Sequence, residues 1–285
     1  MVKRQPVVLV TGASSGIGSA AAAAFAAKGY EVFGTGRNIG RIQPTAGVEF
    51  VQLDVTDDDS VAKAVQTVID RAGRIDVLVN NAGALLLGGA EETSAAQAQD
   101  LFDTNFFGVV RMTNAVLPHM RAQGGGRIVN VGSVVGFVPT PYSVFYSSSK
   151  YALEGYSQGL DHELREFGIR VTLVEPGYTN TAIDSAVWMG DTPIPAYAAR
   201  RAQAHQEMTE SIASADSPET VAAVIVRAAS ASSPKLRYPA GGFARVMTRV
   251  VRYAPASLLD SAIRRATKLN KAAVTPGTTT ANTAR

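Results

Sequence analysis

The sequence predicts an α/β fold in which a parallel sheet of seven strands is covered by helices on both faces. Two patterns along the chain and one bulk property carry that expectation. Short β-branched runs such as Val7-Val8-Leu9-Val10 are apolar at every position, as strands buried on both faces are. Helix-length stretches separate them at the spacing of strand–helix–strand units. The 285 residues, 46% hydrophobic and 18% charged, suffice for a large core, and α/β chains of this length commonly form one domain.

The first strand leads into Thr11-Gly12-Ala13-Ser14-Ser15-Gly16-Ile17-Gly18, then into an alanine-rich helix from Ser19 closed by Gly29. Strand, glycine-rich turn and helix N-terminus form the setting a bound phosphate requires, because the turn presents backbone N–H groups. Gly12 and Gly16 allow a tight turn with close backbone approach, and Gly18 allows the helix to pack on the sheet. The next strand, Glu31 to Gly36, ends in Gly36-Arg37-Asn38. In a dinucleotide site an acid here takes the ribose hydroxyls, whereas an arginine accommodates a 2′-phosphate. The planar donor fork of Arg37 suits phosphate, so the expected cofactor is NADP(H) in preference to NAD(H). Glu49 to Leu53 forms a third strand followed by Asp54-Val55. Thr56 is expected to cap a helix running to about Ala72, with Asp57, Asp58 and Asp59 in its first turn. The fourth strand, Ile75 to Val79, runs into Asn80-Asn81-Ala82-Gly83.

Ala95 to Met120 reads as one long helix that includes Asn105. After Gly124-Gly125-Gly126 the fifth strand, Arg127 to Val131, delivers Ser133 to its C-terminal end, the edge where open α/β sheets bind ligands. Phe145-Tyr146-Ser147-Ser148-Ser149-Lys150 opens a proline-free helix through Leu164. Tyr146 and Lys150, one turn apart, share a face of that helix. A phenol with an ordinary pKa of about 10 is a poor base near neutrality. A fixed ammonium beside it favours the phenolate, so the pair makes a proton-transfer group. With nine tyrosines in the chain the spacing alone arises by chance roughly 0.2 times, so it counts only in company. The sixth strand, Arg170 to Val174, ends at Glu175-Pro176-Gly177, and Tyr178-Thr179-Asn180-Thr181 follows. Residues 178–217 read as a substrate lid, irregular at first, carrying Trp188, and helical from Ala196 to Ile212. Ser217-Pro218-Glu219 opens a capped helix through Ala229, and Lys235 to Tyr238 offers a seventh strand.

Taken together, Thr11-Gly12-x-x-x-Gly16-Ile17-Gly18, Asp54-Val55, Asn80-Asn81-Ala82-Gly83, Ser133, Tyr146-x-x-x-Lys150 and Pro176-Gly177 resemble the short-chain dehydrogenase/reductase family over residues 5–234. In pattern the chain is most similar to the branch containing 17-beta-hydroxysteroid and retinol dehydrogenases. The resemblance implies a Rossmann-type doubly wound fold and the interconversion of an alcohol with a ketone or aldehyde. It implies that Tyr146 moves the proton, that Lys150 lowers the pKa of Tyr146 and holds the nicotinamide ribose, and that Ser133 donates to the reacting oxygen. Asn105 would bend its helix and hold a water touching Lys150. Cofactor contacts would come from Gly12, Ser14, Ser15, Gly16, Ile17, Gly18, Arg37, Asp54, Val55, Asn81, Ala82, Gly83, Tyr146 and Lys150, and from Pro176, Gly177, Thr179 and Thr181 closing over the nicotinamide. No metal is required. A homodimer or homotetramer is implied, packed through the helices holding Asn105 and Tyr146. A non-catalytic dinucleotide-binding regulator on the same fold is the alternative, although such proteins usually lose part of the Ser-Tyr-Lys set.

The chain has no cysteine, which excludes disulfides, thiolate metal sites and a thiol nucleophile. With no signal-peptide pattern and no run of ~18 apolar residues, the expected location is cytoplasmic. Residues 235–285 hold ten basic residues and one acid, a balance of +9, which leaves −6 for residues 1–234 against the total of +3. Residues 1–234 are expected to form the dinucleotide-binding catalytic domain, 235–274 a basic extension packed on it, and 275–285 a disordered tail. Within the extension, apolar residues interleave with arginine, and two readings stay open. Its helices cap the substrate pocket with a solvated basic face, or they touch anionic membrane lipid. No recognised nucleic-acid module accompanies the charge. The resemblance implies a small carbonyl or alcohol compound as substrate, with steroid, retinoid, keto-acyl, sugar and xenobiotic classes all open.

Overall fold

The structure is a computed structural model that describes residues 4–181 and 187–267. The expected tail 275–285, the end of the basic extension and part of the lid lie outside the described residues.

Strand β1 (Val7–Val10) is buried at all four positions because β2 (Glu31–Gly36) and β4 (Val77–Asn80) flank it in parallel register. Its side chains alternate between two cores, as strand geometry demands. Val8 and Val10 pack beneath α1 (Gly16–Ala27) and α7 (Pro218–Ser230), while Val7 and Leu9 pack beneath α2 (Asp58–Ala72) and α4 (Gly108–Ala122). Each such side chain is worth about 1.5–3 kcal/mol of burial, so the central strand anchors both layers. With β3 (Val48–Gln52), β6 (Gly126–Val131), β7 (Ile169–Pro176) and β9 (Arg237–Ala240), the sheet runs β3-β2-β1-β4-β6-β7-β9, parallel throughout. The order reverses at β1, so the C-terminal ends of β1 and β4 form the crevice in which such sheets hold ligands.

The structure departs from the sequence reading in four places. Asp57, not Thr56, caps α2, accepting from the Ser60 N–H at 2.7 Å, while the Thr56 hydroxyl donates to Asp54. The expected helix from Ala95 to Met120 divides into α3 (Ala95–Phe102), a π-helical turn over Asp103–Phe107, and α4. The seventh strand sits two residues further along, over Arg237–Ala240. The lid contributes a strand: β8 (Val187–Met189) pairs in parallel with β5 (Leu85–Leu87) in a second, two-stranded sheet. The catalytic-helix candidate α5 (Val144–Leu164) and the lid helix α6 (Ala198–Ala213) form as expected. Beyond β9, α8 (Gly242–Tyr253) and α9 (Ala256–Ala266) complete the described chain. Among the described residues no helix is long and apolar enough to cross a membrane.

Candidate active site

The glycine turn is built by β1 and braced by β4. The Thr11 hydroxyl accepts from the backbone N–H groups of Asn81 and Ala82, and the Asn81 side chain donates to the carbonyls of Thr11 and Gly12. Gly12 and Gly16 adopt φ of +64° and +56°, the left-handed region that costs other residues strain. Gly18 is needed for space instead: a Cβ there would lie 2.2 Å from the Gly12 carbonyl oxygen. Ser15 caps α1 with extended backbone and no side-chain hydrogen bond, and the first turn of α1 carries no acid. An uncapped, acid-free helix start beneath a glycine-lined turn fits a dinucleotide pyrophosphate.

The other expected cofactor contacts gather on the same sheet edge. Ser14 lies beside Gly36 at the end of β2, and Arg37 is exposed just beyond it. Burial tends to raise the Asp54 carboxyl. Hydrogen bonds from the Thr56 N–H and hydroxyl, with the nearby Arg37 guanidinium, outweigh that and hold it below the usual range. Val55 is buried against Gly108 at the start of α4. Gly83 lies beside the Asn105 side chain. Pro176 ends β7, Thr179 is buried after Gly177, and the Thr181 methyl group approaches Gly16. Thr11, absent from the expected contact set, is the turn's main brace, and its place at the strand end was the available signal.

Ser133 lies two residues beyond β6, where its hydroxyl donates to the Pro176 carbonyl at 3.4 Å, and Tyr146 lies in the first turn of α5 with its phenol next to that hydroxyl. The Tyr146 phenol is pushed up to about 12, first by burial and then, against the pull of Ser133, by the charge of Tyr178. Lys150 is buried, and desolvation pulls its ammonium down to about 8. The Nζ donates to the Val131 carbonyl at 2.9 Å and sits 5.9 Å from the Tyr146 ring centre. The two residues are neighbours, but the ammonium is turned to the end of β6, and burial of the phenol dominates its pKa.

The π-helical turn rotates Asn105 inward. Its side chain accepts from the Ala84 N–H at 2.8 Å and donates to the Ala84 carbonyl and to the Ser149 hydroxyl. Ser149 in turn donates to the Tyr146 carbonyl, so Asn105 reaches the Tyr146 backbone through one intermediate. Beside Tyr146, Leu85 and Leu87 of β5 pack with Met208 and Ile212 of α6. A cavity of about 600 Å³ adjoins that cluster, walled by Leu87, Val138, Tyr142, Tyr178, Met208, Phe243, Met247 and Ile263 and also by polar residues that include Arg200, Gln203, Glu207 and Ser211; Tyr146 and Ser133 are not among its lining residues. Tyr142, with φ of +61°, and Tyr178 were not singled out from sequence, since aromatic loop residues carry no spacing signal.

The fold and the glycine-lined sheet edge define a class, the dinucleotide-binding α/β oxidoreductases. Residues 6–191 match the family model described as short chain dehydrogenase. The 3-ketodihydrosphingosine reductase of Bacteroides thetaiotaomicron is 44% identical over 179 residues, 61% of this chain and 64% of that protein. The 17-beta-hydroxysteroid dehydrogenase type 1 of Homo sapiens is 37% identical over 258 residues, covering 81% of this chain and 76% of that one. The crystal structure of a short-chain dehydrogenase from Streptomyces avermitilis superposes with a TM-score of 0.79 at 35% identity, over 94% of this chain and 97% of that one. The chain belongs to the short-chain dehydrogenase/reductase family, in the branch of the 17-beta-hydroxysteroid and retinol dehydrogenases. It is an oxidoreductase acting on CH–OH and C=O groups with NAD(P).

Proposed function

We propose that the protein interconverts a lipophilic alcohol and its ketone or aldehyde with NADP(H), using Ser133, Tyr146, Lys150 and Asn105. The observation that carries this reading is the placement of the Ser133 hydroxyl next to the Tyr146 phenol, with buried Lys150 one turn on, at the sheet edge that holds the glycine turn. The bound nicotinamide would supply or accept the hydride. Tyr146 would give its proton to the carbonyl oxygen in reduction and take it back in oxidation. Ser133 would donate to the same oxygen as charge develops there, where a placed donor matters most. Lys150 favours the phenolate when its ammonium turns from Val131 toward Tyr146. Asn105 keeps Ala84 and Ser149 fixed behind Tyr146.

Two observations support the finer parts of the reading. Arg37 at the end of β2 suits a 2′-phosphate, and the strand carries no acid there to take the ribose instead. The apolar part of the cavity wall suits a lipophilic substrate, as do the names of relatives that act on 3-ketodihydrosphingosine, retinol and a 17-beta-hydroxysteroid. We read residues 1–234 and the extension as one packed unit, since Phe243, Met247 and Ile263 of α8 and α9 wall the same cavity as the lid. Exposed Phe107 on the π-helical turn before α4, and exposed Val144 and Tyr151 on α5, support homo-oligomer formation through that face. The cytoplasm, where reduced NADP(H) is available, is the compartment we propose. Oxidation of NADPH and NADH against a panel of sterol, retinoid, sphingoid, sugar and keto-acid carbonyls tests the reading. We expect kcat/KM at least tenfold higher for apolar members, and higher with NADPH. A preference for the sugars or keto acids contradicts it.

A further inference from the structure

The outer face of α8 presents two adjacent strips. Phe243, Val246, Val250 and Tyr253 follow an i, i+3, i+7, i+10 spacing and therefore share one side. They are 58, 59, 41 and 79% exposed, and Leu258 at the start of α9 adds a fifth exposed apolar residue at 63%. The neighbouring strip holds exposed Arg245 and Arg249, and exposed Arg264 and Arg265 close α9. The opposite side of α8 attaches it to the protein, with Ala244 fully buried and Met247 in the cavity wall. Packing therefore accounts for the inner side of the helix and leaves the outer one unexplained. Contiguous exposed apolar surface of this kind marks an interaction site.

We propose that the outer face of α8 and the start of α9 dock on an anionic lipid bilayer, with the helix lying in the plane of the interface. A helix with an apolar strip beside a basic one is the form that such docking takes. The charge fits as well, since residues 235–285 carry +9 while the rest of the chain carries −6. Anionic lipid would attract this end of the molecule and orient the acidic remainder away. A second copy is the poorer occupant, because a two-fold contact would set the arginines of each strip against the same arginines of the other. Nucleic acid would use the arginines but would leave Val246, Val250 and Leu258 in water. Phe243 belongs both to the exposed strip and to the cavity wall, and lies close to Gly177. The docked face would thus meet the cavity mouth, so a substrate dissolved in lipid could enter without crossing water. That consequence rests on the lipophilic-substrate reading, whereas the docking does not.

The test is cosedimentation of the full chain with vesicles of phosphatidylcholine alone and with phosphatidylglycerol as about one third of the lipid. We expect binding to the mixed vesicles, weakened by salt, and at least tenfold less to the neutral ones. Val246→Glu with Val250→Glu should abolish it, and Arg245→Gln with Arg249→Gln should lower partitioning by roughly thirtyfold. None of these four residues lines the cavity, so melting temperature and NADPH affinity should stay at wild-type values. A substrate preference for polar carbonyls alongside intact vesicle binding would remove the lipophilic reading and leave the docking standing. No sedimentation with mixed vesicles, equal binding to neutral ones, or wild-type binding by both double variants would overturn the proposal. So would a lipid-free oligomer that Val246→Glu with Val250→Glu dissociates, since the face would then cover a second copy.

Discussion

Replacing Gly18 by alanine adds one methyl group at the most crowded point of the nucleotide turn. That Cβ would lie 2.2 Å from the Gly12 carbonyl oxygen and 2.5 Å from the Asn81 Nδ2, where ordinary contacts begin near 3.4 Å. One of the partners is backbone, so the turn itself must move. Movement of Asn81 would cost its hydrogen bonds to the Thr11 and Gly12 carbonyls, at 2.9 and 3.1 Å, each worth about 1 kcal/mol. Overpacking adds about 1–3 kcal/mol, and the better helix propensity of alanine returns about 1. The net loss of about 2–4 kcal/mol should lower the melting temperature by roughly 5–15 °C. Because the displaced groups are those that shape the turn, NADPH affinity should fall by at least tenfold, read by fluorescence titration. Gly29→Ala is the control. Gly29 has φ of +79° and no atom within 4 Å of the added Cβ, so it should lose about 1–2 kcal/mol to backbone strain and keep its NADPH affinity. A Gly18→Ala protein that melts and binds NADPH like wild type would refute the steric reasoning.

Two further predictions concern charge. Arg37→Ala should raise the KM for NADPH by about ten- to a hundredfold, the worth of a charged hydrogen bond, and leave the KM for NADH nearly unchanged. An equal effect on both cofactors would mean that the 2′-phosphate is not read at Arg37. Glu175 is fully buried beside Glu154, with the Arg237 guanidinium within 3.1 Å of both, and burial followed by the charge of Glu154 raises its pKa to about 8. The folded state therefore keeps a proton that the unfolded chain releases in the ordinary carboxylate range. Stability should fall as pH rises from about 4.5 to about 8, by up to about 1.4 kcal/mol per pH unit. Melting temperatures across that range should decline for wild type and stay flatter for Glu175→Gln, and parallel slopes would contradict the assignment.

The parts of this protein that are local in sequence were legible there. Val7 to Gly29 announces strand, turn and helix because each piece obeys its own rule, with an all-apolar run, glycines where space is short, and alanines after them. Tyr146 and Lys150 are adjacent because four residues is one helical turn, and the helix around them forms as expected. What was not legible depends on distant partners. The ammonium of Lys150 goes to Val131, a carbonyl on another element, and no spacing within α5 could have foretold it. The β5–β8 pair joins two three-residue runs about a hundred positions apart, too short for any period to register. The π-helical turn at Asp103–Phe107 was implied only by resemblance, as a bend at Asn105; its partner Ala84 is a tertiary contact that no local rule states.

The central claim is that the Tyr146 hydroxyl moves the proton at the reacting oxygen. Steady-state turnover of Tyr146→Phe, with NADPH affinity measured on the same protein, tests it most directly. The account predicts a fall in kcat of about 10²- to 10⁴-fold with NADPH binding essentially retained. Turnover close to wild type, or a loss confined to NADPH binding, would contradict it.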